Sequence, residues 1–114
     1  MTYVVHEPVG EVKFKKEYYS LMHDGLKTQT LRLARKRLDV REGDIVTAIF
    51  PGIPETLTIQ INKIGYKQFK SVNLDDAKRE GLDSITDLKN ELIKIYPLIN
   101  KFDRLYYYQF EVVK

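Results

Sequence analysis

The stretch Gly25-Leu26-Lys27-Thr28-Gln29-Thr30-Leu31-Arg32 puts an amine, two hydroxyls and a guanidinium within eight positions. Thr28 to Leu33 is β-branched and alternating, the pattern of a strand. On that strand Thr28, Thr30 and Arg32 share one face, and Gln29, Leu31 and Leu33 share the other. The leucine-bearing face is expected to look into the core, so the opposite face presents two hydroxyls and a guanidinium together. Gly25 falls where a preceding helix would end with a positive φ, and Lys27 lies in the turn that follows. Positions 27 and 30 would face opposite ways on a regular strand, so the chain must turn or bulge between them for both to reach one cleft. Lysine, threonine and arginine converging in this way suit an anionic or carbonyl-bearing ligand. The plain alternative is a polar outer strand face with a lysine at the surface.

Other residues add weaker signals. Arg32, Arg35, Lys36, Arg37 and Arg41 are five basic residues in ten positions, with Asp39 the one acid among them. Such a cluster can neutralise phosphates and bind nucleic acid in a salt-sensitive way, or be a solvated loop. Tyr66 beside Lys67 and Lys70 has the aromatic-plus-basic look of a base platform. In Tyr106-Tyr107-Tyr108, Tyr107 must point away from its neighbours, where it would stack a base or pack under a helix. Glu80 stands at a helix end before Gly81, as a site acid or as an exposed glutamate.

Several chemistries are excluded or made unattractive. The 114-residue chain has no cysteine, which removes thiolate nucleophiles, iron–sulfur clusters and zinc ribbons. Its two histidines, His6 and His23, fall on unrelated elements, so no metal or other cofactor is expected. No Ser-His-Asp set, Walker loop or dinucleotide-binding glycine pattern occurs. The net charge of +3 says little about partners by itself. No apolar run approaches the roughly 18 residues that span a bilayer, and the N-terminus lacks a signal-peptide pattern. The chain reads as one cytosolic domain over residues 1–114, with 1–11 a loose arm or an edge strand.

The elements that would position these residues follow from periodicity. Val12 and Phe14 alternate with lysines in a short strand, and Lys16 to Asp24 is a short helix stopped at Gly25. Ile45 to Phe50 is a buried strand ended by Pro51-Gly52. Thr56 to Ile64 alternates as a half-buried strand, and Gly65 to Val72 is a connection or a further strand. Asn73 caps a helix reaching Glu80, with Asp75 and Asp76 in its first turn. Asp83 or Ser84 caps the next, whose Ile85, Leu88, Leu92 and Ile95 make one apolar stripe before Pro97. Leu105 to Val113 is the last strand. The order suits an α+β arrangement, a small, mostly antiparallel β-barrel of five to six strands flanked by three short helices.

The run Gly-x-Lys-x-x-Thr-x-Arg after a short helix resembles the signature of the ASCH domain family, whose fold belongs to the PUA-like β-barrels. Val40-Arg41-Glu42-Gly43-Asp44-Ile45-Val46 is similar to that family's turn into the second barrel strand. Asp76 to Leu82 is similar to its helix-ending Glu-Gly element, Leu88 to Pro97 to its second helix, and Leu105 to Val113 to its closing strand. The resemblance spans residues 12 to 113. It implies a barrel with an open cleft where Lys27, Thr30, Arg32 and Glu80 meet, and binding of RNA or nucleosides. The small relatives it brings closest are bacterial N4-acetylcytidine amidohydrolases, whose lysine, threonine and glutamate fall on Lys27, Thr30 and Glu80.

Two functions are therefore open. One is a module that holds single-stranded RNA or a modified nucleoside, using Gly25, Arg32, Arg35, Lys36, Arg37, Tyr66 and Lys67. The other is an amidohydrolase acting on an acylated nucleoside. There Thr30 supplies the nucleophile and Lys27 the base. Glu80 positions the lysine or passes a proton to the leaving amine, and Arg32 stabilises the oxyanion. A nuclease is a third and less favoured option.

Overall fold

The strand that starts at Thr56 does not stop at Ile64. In the computed structural model, which describes residues 7–113, it runs unbroken through Thr56–Gln68. Leu57, Ile59 and Ile61 face the core, and the register with its partner then shifts between Ile61 and Lys63. That one-residue bulge at Asn62 flips the parity, so Ile64 and Tyr66 come to lie on the face that Ile59 and Ile61 began. The loss of alternation that reads as the end of a strand is therefore its bulge.

The chain forms β1 (Glu11–Lys13), α1 (Tyr19–His23), β2 (Gln29–Leu33), β3 (Ile45–Ile49) and β4 (Thr56–Gln68). These are followed by α2 (Leu74–Arg79), α3 (Ile85–Ile95) and β5 (Arg104–Val112). Single 3-10 turns at Lys16–Tyr18, Ala34–Lys36 and Phe69–Ser71 join them. The strands make one sheet in the order β1-β3-β4-β5-β2. Three pairings are antiparallel, and β1 runs parallel to β3. Met1–His6, most of the expected arm, lies outside the described residues; Val9 and Gly10 already bond to Ile45 and Thr47 at the sheet edge.

The expected barrel does not close. β1 and β2 are the two edges of an open mixed sheet, and no backbone ladder joins them. β1 is only three residues long and is already paired on one side with β3. The edges are bridged by a side chain instead. The Arg32 Nη2 donates to the Lys13 carbonyl at 2.9 Å, and the guanidinium lies 5.1 Å over the Phe14 ring.

Apolar residues fill both sides of this sheet. One cluster gathers Phe14, Met22, Val46, Phe50, Ile59 and Phe110, among others, inside the curl. A second sets Leu31, Leu33 and Leu105 against Ala77 of α2 and Leu88 and Leu92 of α3. The helix ends follow from local chemistry. Gly25 and Gly81 take φ of +76° and +80° just past α1 and α2. Asn73 and Asp76 close a reciprocal capping box, and the Ser84 hydroxyl accepts from the Asp87 N–H. The α3 stripe is buried only at Leu88 and Leu92; Ile85 and Ile95, at its ends, stay partly exposed.

Candidate functional site

The edge of β2 that faces away from β5 needs partners for its backbone groups. The end of α2 supplies them. The Thr28 N–H donates to the Arg79 carbonyl at 2.6 Å, and the Leu31 N–H faces the Glu80 carboxylate. The Lys27 Nζ donates to the Gln29 carbonyl at 3.0 Å and forms an ion pair with Glu80. A helix end and a buried Lys–Glu pair thus stand where another strand would otherwise lie.

That pair opens onto a cavity of about 470 Å³ between β2, the Lys16–Tyr18 turn and α3, a size typical of small-molecule sites. Lys27, Thr30, Arg32 and Glu80 form its polar corner, with Leu31, Leu82, Leu88, Leu92 and Tyr96 as an apolar wall. The Thr30 hydroxyl accepts from the Arg32 Nε at 3.1 Å, which leaves its own proton free to be donated. Lys27 sits 4.5 Å over the Tyr18 ring. On the far side the Tyr18 hydroxyl and Lys15 both donate to Glu91, at 2.6 and 3.2 Å, tying α3 to the turn.

Electrostatics differ around the cavity. Burial pushes the Glu80 carboxyl above the ordinary glutamate range, against the pull of Lys27, the Leu31 N–H and Arg32. Burial lowers the Arg32 guanidinium below its usual value. Burial and then the Glu91 carboxylate drive the Tyr18 hydroxyl well above the usual phenol range. Glu91 itself is held below the carboxylate range, chiefly by the Tyr18 hydroxyl.

One turn before Glu80, Asp76 is also buried, and both of its oxygens accept hydrogen bonds. Lys67 reaches it at 2.8 Å, the Gln29 amide at 3.1 Å and the Asn73 N–H at 3.0 Å. Burial works to raise this carboxyl, but those hydrogen bonds outweigh it and hold it below the aspartate range. The Gln29 amide oxygen accepts from Gln109 at 3.2 Å, so the residue whose carbonyl receives Lys27 is fixed from both ends.

The sequence-derived residues therefore fall into three places. Lys27, Thr30, Arg32 and Glu80 share the cavity, and the turn demanded between Lys27 and Thr30 is supplied after Gly25. Gly25 shapes that turn but lines a shallower depression beside Thr28 and Phe110. Arg35, Lys36 and Arg37 sit exposed on the 3-10 turn after β2, outside the cavity lining. Tyr66 is 61% exposed, whereas Lys67, on the opposite face, is paired with Asp76. Tyr107 packs over Gly65, where a Cβ would collide with its ring, so it does not offer a free stacking face. Both faces of β2 are covered, and even Thr30 is buried. Sequence reasoning missed Tyr18, Glu91 and Tyr96 as cavity residues. Tyr18 reads as part of a helix's apolar side, and Tyr18 and Glu91 lie 73 residues apart with no shared motif. Among the described residues no group of His, Asp and Glu is arranged to hold a metal ion, and no helix is long and apolar enough to cross a membrane.

The fold is similar to that of a solved ASCH domain. The ASCH domain from Lactobacillus crispatus superposes with a TM-score of 0.77 at 17% identity, over 90% of this chain and 78% of that one. Protein EF3133 from Enterococcus faecalis, of family DUF984, gives 0.71 at 19% identity over 97% and 78%. The hypothetical protein PH0355 gives 0.66 at 24% identity over 91% and 98%. No family model matches the chain, and no curated protein matches it by sequence. The resemblance read from the sequence thus holds for the fold.

Proposed function

We propose that this ASCH-fold protein binds RNA or a nucleoside, and that its cavity takes a single base. The observation that carries the reading is the buried Lys27–Glu80 pair opening onto a cavity beside Thr30 and Arg32. Lys27 and Arg32 are donors for carbonyl oxygens of a base, and Glu80 is an acceptor for an exocyclic amine. The Leu31, Leu82, Leu88 and Leu92 wall gives a flat heterocycle an apolar surface. Isothermal titration with cytidine and N4-acetylcytidine tests this. Saturable binding that Glu80→Gln weakens at least tenfold supports it, and no binding of any nucleoside or of single-stranded RNA ends it.

A second reading, hydrolysis of an N4-acylated cytidine, is favoured by the raised Glu80 carboxyl, since a glutamate that holds a proton readily can pass it to a leaving amine. Thr30 Oγ would add to the acyl carbonyl as Lys27 takes its proton, and Arg32 would face the developing oxyanion. The C–N bond breaks as Glu80 protonates the amine, and water then releases the acid from Thr30. Incubation with N4-acetylcytidine should release cytidine and acetate. Thr30→Ala should abolish release with the fold intact, and Thr30→Ser should retain part of it. Binding without release by the wild type would leave a recognition clamp alone.

A further inference from the structure

The cavity opens at the β2 edge between the two faces of the sheet, and the face that carries Thr30 and Arg32 holds a second feature. Arg32 lies directly across from Tyr106 on β5, and Tyr106 directly across from Tyr66 on β4. Residues in register on adjacent strands point to the same side. Arg32, Tyr106 and Tyr66 therefore form one row, about 10 Å across at the usual strand spacing of about 4.8 Å. It begins at the cavity, which Arg32 lines, and ends at Tyr66, 61% exposed. The Tyr66 and Tyr106 rings stand 6.0 Å apart, and the Arg104 guanidinium is stacked 4.5 Å over the Tyr66 ring.

The segment after β2 packs Leu38 and Val40 on the apolar cluster and donates the Leu38 N–H to the Tyr108 hydroxyl, and it carries the exposed Arg35, Lys36 and Arg37. Of the nearby acids, Asp39 is exposed in the same segment, while Glu42 accepts from the Ile64 N–H, Asp44 from the Arg41 N–H and Asp103 from the Asn100 N–H. Two tyrosines and a stacked arginine, flanked by free cations, match the chemistry of unpaired bases joined by phosphates.

We infer that Tyr106 and Tyr66 are a stacking platform for the nucleotides that flank the one in the cavity, so that the ligand is a single-stranded polynucleotide rather than a free nucleoside. The inference rests on the nucleoside reading above. The row fixes the path: one base in the cavity, the next over Tyr106 and Tyr66, and the phosphates toward Arg35–Arg37. A platform of this kind tolerates any base, because each has a π-face.

The test is anisotropy of a labelled single-stranded RNA octamer and of the same sequence as DNA, beside titration with the mononucleoside. The wild type should bind the octamer at least tenfold more tightly than the mononucleoside. Tyr66→Ala and Tyr106→Leu should each weaken octamer binding roughly tenfold, the scale of losing one stacked base, and leave mononucleoside binding unchanged. Tyr66 is exposed, so its variant isolates stacking from folding. The chain has no tryptophan, so Tyr66→Trp installs a single reporter whose emission should be quenched by the octamer. Equal binding of RNA and DNA supports the platform, as does preference for RNA. Octamer binding no tighter than mononucleoside binding, unaffected by Tyr66→Ala, overturns the platform and spares the cavity. Absence of all nucleoside and octamer binding overturns both.

Discussion

Two buried carboxylates sit one turn apart, Asp76 in the first turn of α2 and Glu80 just past its end, each paired with a lysine from elsewhere, yet their environments push them in opposite directions. Asp76 accepts from Lys67, the Gln29 amide and the Asn73 N–H, and is held in its charged form. Glu80 has Lys27 and one backbone N–H, borders an open cavity, and is pushed toward its protonated form. The first is a structural clamp at the foot of the helix. The second has an unfilled side, and that side is where a ligand would complete it. Burial and a lysine partner are common to both; the number of donors and the neighbouring space are what separate a clamp from a site.

The largest effect is expected from breaking the Lys27–Glu80 pair on one side. Lys27→Met leaves a buried carboxylate without its cation and should cost about 3 kcal/mol. Adding Glu80→Gln should recover part of that loss, and urea melts of the single and double variants read the coupling; strict additivity would mean that the two side chains act independently. Next comes the clamp. A carboxyl held below its ordinary range stabilises the fold above that range, and the stabilisation is lost as pH falls through it. Asp76→Asn should therefore be about 2 kcal/mol less stable than wild type at neutral pH. The gap should narrow below about pH 4, where the unfolded chain takes up protons. A gap that is constant with pH would show that Asp76 acts only through its hydrogen bonds.

Smaller again is Gly65→Ala, which forces the Tyr107 ring off the strand and should cost about 1 kcal/mol by overpacking. The Glu91 contact is partly solvated, so Glu91→Gln should change the unfolding free energy little, by about 0.5 kcal/mol at most. It should alter ligand affinity more than stability, because Glu91 ties α3 to the cavity's far wall.

Much of the polar corner of the cavity was legible in the sequence, because it depends on local chemistry: a glycine that permits the turn before Lys27, alternation that sets Thr30 and Arg32 on one face, and a glycine stop that marks the helix end at Glu80. What was not legible depends on distance and on counting. Strand patterns report that strands exist but not whether their edges meet, so an open sheet bridged by Arg32 reads the same as a barrel. The bulge at Asn62 erased the alternation that would have shown the full length of β4. Asp76 reads as an acid in the first turn of a helix, whereas its part in the capping box and its bonds to Lys67 and Gln29 emerge only in the fold.

β2 carries Thr30 and Arg32, and its sole strand neighbour in the sheet is β5, with Gln29 and Gln109 separated by 80 residues. The β3–β4 hairpin forms from near neighbours, but β2 has nothing to pair with until the last strand arrives. Contacts between such distant positions carry the slowest loop closures in a small domain. On a growing chain, Lys27, Thr30, Arg32 and Glu80 are all synthesised well before the strand that assembles them, so cavity formation should report completion of the fold. A chain cut after α3 would hold every polar group of the cavity and still have no binding competence.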